Sequence, residues 1–174
     1  MTLRKILTEP NKTLRQKSLK VEKVDDDLRK LMDDMLETMY AAPGIGLAAI
    51  QVGVPKRVIV LDIAPKDSPK NPMFFVNPEI IKKSETNSTY EEGCLSVPGQ
   101  FAEIDRPDKC NLKYLDYFGQ SKEILAEGML ATCIQHEMDH LEGILFIDYL
   151  SKLKKSMIVK KLSKQKKALE RIVV

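Results

Sequence analysis

The sequence predicts an α+β domain with mostly antiparallel sheet, and three observations carry that expectation. A strong helical stripe stands in the first quarter of the chain. Short segments of strand-like composition, cut by Pro, Gly, Asn and Asp, fill the middle, and helical patterns return in the last third. Strands bracketed by helices, with mid-chain connections too short for crossover helices, favour antiparallel pairing.

Each element can be justified in order. Across residues 25–41, Leu28, Leu31, Met32, Met35, Leu36 and Met39 fall on an i, i+3, i+4, i+7 stripe. The Asp25–Asp27 run offers an N-cap and suits the positive end of the helix, and Pro43 and Gly44 stop it. A glycine-bearing loop from Gly44 to Gly53 follows. Arg57–Ile63, Met73–Ile81, Cys110–Tyr117 and Lys122–Glu127 are rich in Val, Ile, Phe and Tyr and read as strands, with Phe118-Gly119-Gln120 as a hairpin turn between the last two. A second helix is expected from about Met129 to Glu142, with Gly143 as its C-cap, and a third after Ser151.

The 174 residues suit one domain. We expect a catalytic core over residues 1–150 and a basic helical extension of the same domain over 151–174. The net charge of +3 is too small to imply nucleic acid by itself, but Lys152, Lys154, Lys155, Lys160, Lys161, Lys164, Lys166, Lys167 and Arg171 gather the excess in the tail. No apolar run approaches the roughly 18 residues needed to cross a bilayer. The apolar run near Met1 is too short for a signal peptide, and Glu9 argues against a transit peptide, so a cytoplasmic location without membrane attachment is expected. Cys94, Cys110 and Cys133 cannot all pair with one another, so each is read as a thiol.

The chemistry concentrates in His136-Glu137-Met138-Asp139-His140, which holds both histidines of the chain. On a helix, positions i and i+4 lie side by side, so the two imidazoles can reach one metal ion. Glu137 then flanks the ion, where a carboxylate can take a proton from water. A catalytic metal usually has three protein ligands. Phe146 stands where a metzincin would place its third histidine, and only Glu142 and Glu170 follow His140 as carboxylates of the thermolysin kind. Cys133 shares the helix stripe but lies about 10.5 Å along the axis from His140, too far for its short arm. It reads better as a pocket wall, and Cys110 as core. Cys94, in the extended stretch Glu91–Pro98, can cross the helix and present its thiolate.

Three segments now stand in order: Gly44-Ile-Gly-Leu-Ala-Ala-Ile-Gln51, Glu92-Gly-Cys-Leu-Ser96 and Gln135-His-Glu-Met-Asp-His140. Together they closely resemble the three signature motifs of bacterial peptide deformylases, and Pro10-Asn-x-x-Leu14-Arg15 is similar to the family's N-terminal segment. The resemblance implies antiparallel strands around a central helix carrying the two histidines. It also implies removal of the formyl group from N-formylmethionine on nascent peptides. It implies Cys94, His136 and His140 as metal ligands, Glu137 as general acid and base, and Gln51 with the Leu95 backbone N–H as oxyanion donors. One divalent ion per chain is expected, natively Fe(II), with zinc, nickel or cobalt able to occupy the site. Gly99 and Phe101 depart from the Glu and the Tyr or Arg of many members, which touches the grip on residues beyond methionine.

Gly44-x-Gly46-x-x-Ala49 loosely matches a dinucleotide-binding pattern, but a helix precedes it and a strand follows, the reverse of what that pattern requires. Gly44 and Gly46 instead suit a backbone running beside an extended peptide. From helix geometry and resemblance, Ile45, Met129, Thr132 and Cys133 are candidates for the methionine pocket. The basic tail is a solvated amphipathic helix or a patch that meets ribosomal RNA. The alternative function is a zinc metallopeptidase of the His-Glu-x-x-His type.

Overall fold

The computed structural model describes residues 2–172 and has two sheets and three α-helices. Helix α1 (Asp26–Ala41) starts where Asp25 accepts a hydrogen bond from the Leu28 N–H, and Asp26 and Asp27 face the positive helix end. Five antiparallel strands form the larger sheet in the order β1 (Gly46–Ala48), β2 (Val58–Leu61), β3 (Met73–Lys83), β6 (Lys109–Leu115) and β7 (Ser121–Glu127). Between β3 and β6 in sequence, β4 (Asn87–Cys94) and β5 (Val97–Pro107) make a separate two-stranded sheet.

Strand β2 shows how the larger sheet is held. All four of its residues are buried, and they alternate between two cores. Val58 and Val60 pack with Leu28, Met32, Met35 and Met39 of α1. Ile59 and Leu61 pack with Ala131, Ile134 and Leu141 of helix α2 (Gly128–Leu141). The sheet is therefore covered by a helix on each face. A third cluster joins Val97 and Ile104 of the small sheet to Leu145, Phe146, Ile147 and Leu162. Leu162 belongs to helix α3 (Lys152–Ile172), which anchors its first half there while Lys155 pairs with Asp148 at 2.6 Å.

The end of α2 is fixed by backbone chemistry. Gly143 adopts φ +75°, and the N–H groups of Gly143 and Ile144 bond the carbonyls of His140 and Asp139, the pattern of a Schellman cap. A side chain at Gly143 would also strike the Arg15 carbonyl. The cap thus lets the N-terminal segment close against the base of the histidine helix.

The expected elements all appear, with ends shifted by a few residues. Asp116, Gly119 and Gln120 close the hairpin between β6 and β7. Three features differ from the expectation. The glycine-bearing loop contains strand β1 and a 3-10 turn at Ala49–Val52. Further 3-10 turns span Lys12–Arg15 and Phe146–Tyr149. The hairpin of β4 and β5 is absent from the sequence reading, because β4 is almost wholly polar and β5 carries Pro98 and Gly99. Among the described residues, no helix is long and apolar enough to cross a membrane.

Candidate metal centre

Helix α2 delivers His136, Glu137 and His140, and the end of β4 delivers Cys94. The pairing of β4 with β5 shifts register between Gly93 and Cys94, the extra residues Pro98–Gln100 standing on the β5 side. The donor atoms of Cys94, His136 and His140 all lie within 4.8 Å of one another, and Cys94 Sγ stands 3.3 Å from His140 Nε2. The two imidazole rings sit edge to face, their centroids 5.1 Å apart. One cysteine sulfur and two imidazoles converging on a point fit a divalent transition metal. Phe146, at the position where a third histidine would be needed, stacks against the His136 ring instead.

The cluster is held by residues whose role the sequence reading missed. Glu92 is buried, accepts a bidentate pair of hydrogen bonds from Arg106 at 2.6 and 3.0 Å, and meets His136 Nδ1 at 2.8 Å. Occupying Nδ1 leaves Nε2 of His136 as the nitrogen available to a metal. Arg106 also reaches Asp139 at 2.8 Å, and the Tyr149 hydroxyl donates to the same carboxylate. Burial by itself would raise the Glu92 pKa, but His136 and Arg106 outweigh it and hold the group ionised. A signal was present: Glu92 and Cys94 are two residues apart, and a strand places such residues on one side.

Gln51 is almost fully buried in the 3-10 turn after β1. Its Oε1 accepts from the Ala48 N–H at 2.8 Å, which fixes the amide, and its Nε2 donates to Ser96 Oγ at 3.0 Å and faces Cys94 Sγ at 3.5 Å. The Ser96 N–H adds a contact to the same sulfur at 3.4 Å. Glu137 is buried as well, and its Oε2 has no hydrogen-bond partner. Burial pushes its pKa up to about 7, against the opposing pull of His136. A Cβ on Gly46 would overlap this carboxylate, so the glycine is what lets strand β1 lie against it.

A cavity of about 470 Å³ opens onto the cluster. Gly44, Ile45 and Gly46 form part of its wall, Met129, Thr132 and Cys133 form another, and Gln51, Leu95 and Glu137 also face it. Burial pushes the Cys133 thiol up to about 12, so this side chain is a neutral wall and not a thiolate. Cys110 is buried in the sheet core, away from the site. The residues proposed from sequence for the ligand, catalytic and substrate-binding roles all line this cavity except His140, which joins the metal cluster.

A polypeptide deformylase family model matches residues 3–156. The chain belongs to that family. Its activity is metal-dependent hydrolysis of the N-formyl group on the N-terminal formylmethionine of newly made polypeptides. It is 67% identical to the peptide deformylase of Pelagibacter ubique (strain HTCC1062) over 174 residues, with 100% of both chains covered. Among solved structures it is similar to the peptide deformylase of Ehrlichia chaffeensis, with a TM-score of 0.91 and 44% identity over 96% of this chain and 98% of that one. It is also similar to a Met-Ala-Ser-bound class I type b peptide deformylase from Acinetobacter baumannii, with a TM-score of 0.79 and 35% identity over 84% of this chain and 98% of that one. The family assignment sets aside the metallopeptidase alternative.

The Glu92 contacts generate a prediction. Glu92→Gln removes the charge that orients His136 and is expected to weaken metal binding by about 10–100-fold. Competition with a chelator of known affinity measures this, and a wild-type metal affinity in the variant would contradict it.

Proposed function

We propose that Cys94, His136 and His140 hold the divalent ion, that Glu137 carries the proton, and that Gln51 and the Leu95 backbone N–H receive the charge developing on the formyl oxygen. The observation that supports this most is the convergence of three donor atoms within 4.8 Å beside a buried carboxylate that no other group engages through Oε2. When bound there, a divalent ion supplies Lewis acidity, acidifying adjacent water and polarising the formyl carbonyl.

The chain's own residues do the rest. Glu137, with a pKa near 7, takes the proton of the water that attacks the formyl carbon. It then passes that proton to the departing amine as the C–N bond breaks, leaving formate and a free N-terminus. The Gln51 amide is pre-positioned because its Oε1 accepts from the Ala48 N–H, so Nε2 can donate to the oxygen as it gains negative charge. The methionine side chain fills the cavity between Ile45 and the α2 wall of Met129, Thr132 and Cys133, while the backbone at Gly44 and Gly46 runs beside the peptide. A similar structure from Acinetobacter baumannii holds Met-Ala-Ser, which supports a peptide that begins with methionine as the occupant.

The native ion is proposed to be Fe(II), the family's expectation, although the donor set suits zinc as well. The enzyme is placed in the cytoplasm, where nascent chains emerge. Residues 1–150 are taken as the catalytic core and 151–174 as its basic extension. Beyond Leu162, α3 exposes Lys164, Lys166, Lys167 and Arg171 and has no buried residue up to Arg171, which supports a ribosome-facing role for this end.

Three outcomes check these assignments. Metal-loaded Glu137→Gln should retain its metal yet release formate from a formyl-Met peptide about 10²–10⁴ times more slowly. Near-normal turnover by the loaded variant would remove Glu137 from its role. In the same assay the Fe(II) form should decay in air while the zinc form survives. For the tail, a chain ended after Ser163 keeps Leu162 in the core. It should process short formyl peptides normally while losing most of its salt-sensitive ribosome binding. Equal binding by the full and shortened chains would leave α3 as a solvated helix only.

A further inference from the structure

The cavity assigned to methionine is not uniformly apolar. Thr132 is 3% exposed, lines the cavity, and its Oγ1 has no hydrogen-bond partner. That is unusual for a threonine inside a helix, whose hydroxyl ordinarily bonds back to the carbonyl four residues earlier. A buried hydroxyl without a partner is unfavourable, and an acceptor brought into the cavity relieves it. Threonine on a helix divides between two χ1 rotamers, so a single bond rotation re-aims the group.

A second hydroxyl stands nearby. Tyr90 lines the same cavity from β4, and its Oη lies 3.8 Å from the point where a Cβ on Gly128 would sit. Gly128 and Thr132 are one helical turn apart on α2, so the Tyr90 and Thr132 side chains meet the same stretch of wall. Neither residue is needed for the metal cluster or the proton transfer. The thioether of methionine is a weak acceptor for such groups. Its oxidised form, methionine sulfoxide, carries an S=O oxygen on a side chain of nearly the same shape and is a strong one.

We propose that the hydroxyls of Thr132 and Tyr90 read the tip of the N-terminal side chain, so that the enzyme also deformylates peptides beginning with formylmethionine sulfoxide. The inference rests on the reading of this cavity as the methionine pocket. The chemistry at the formyl group is unchanged: water adds, the C–N bond breaks, formate leaves, and the sulfoxide is neither reduced nor oxidised.

The test measures kcat/KM on three peptides, formyl-Met-Ala-Ser, its sulfoxide, and the norleucine analogue in which CH₂ replaces sulfur. Wild type, Thr132→Val, Thr132→Ser and Tyr90→Phe are compared at matched metal content. Wild type should turn over the sulfoxide peptide. The ratio of sulfoxide to norleucine turnover should fall roughly fivefold in Thr132→Val, the size of one neutral hydrogen bond, and recover in Thr132→Ser. Tyr90→Phe should lower the same ratio, which keeps the test alive if Thr132→Val fails to fold. No sulfoxide turnover by wild type, or a ratio unchanged in both Thr132→Val and Tyr90→Phe, overturns the proposal. Failure of wild type on formyl-Met-Ala-Ser itself would instead overturn the site assignment on which it rests.

Discussion

A carboxylate buried away from water stays ionised only if its charge is matched, and Glu92 is matched twice, by the Arg106 guanidinium and by the His136 imidazole. The small sheet and the helix between the sheets meet at this group. Glu92 and Arg106 come from the paired strands β4 and β5, and His136 comes from α2. Removing one member of such a buried set commonly costs about 3–5 kcal/mol, because the remaining charge is stranded. The same contacts that join the two parts also choose which nitrogen of His136 faces Cys94 and His140. Structural integrity and ligand geometry are thus consequences of one hydrogen-bonded chain running from Tyr149 through Asp139, Arg106 and Glu92 to His136.

Around that chain, close approach is obtained by leaving side chains out. Gly46 allows strand β1 to lie against the Glu137 carboxylate, and Gly143 turns the backbone after His140 without striking Arg15. The carboxylate is left in a dry setting that holds its proton near neutrality. Gln51 is locked by its own backbone neighbour three residues earlier, so its amide is oriented without any reorganisation when charge develops.

Much of this was legible in the sequence, and the parts that were not share a physical cause. Helices α1 and α2 announce themselves because their buried faces repeat with helical spacing, and β2 and β3 because both sheet faces bury Val, Ile and Phe. Strand β4 does not, since its alternation is of polar residues. Tyr90, Glu92 and Cys94 on its inner side are selected for the site and not for apolar packing. Strand β1 is only three residues long and carries a glycine. At the site, His136, His140 and Glu137 follow from spacing, and Cys94 from want of another reachable ligand. Arg106 could not be found that way, because a lone arginine in a polar strand reads as surface until its partner Glu92 is known to be buried.

The central claim is that one thiolate, from Cys94, and two imidazoles, from His136 and His140, make up the protein's share of the metal's coordination. X-ray absorption on zinc-loaded protein tests it most directly. The account predicts one sulfur at about 2.3 Å and two imidazole nitrogens at about 2.0–2.1 Å. A second sulfur, which would bring in Cys133, or no sulfur at all, would contradict it.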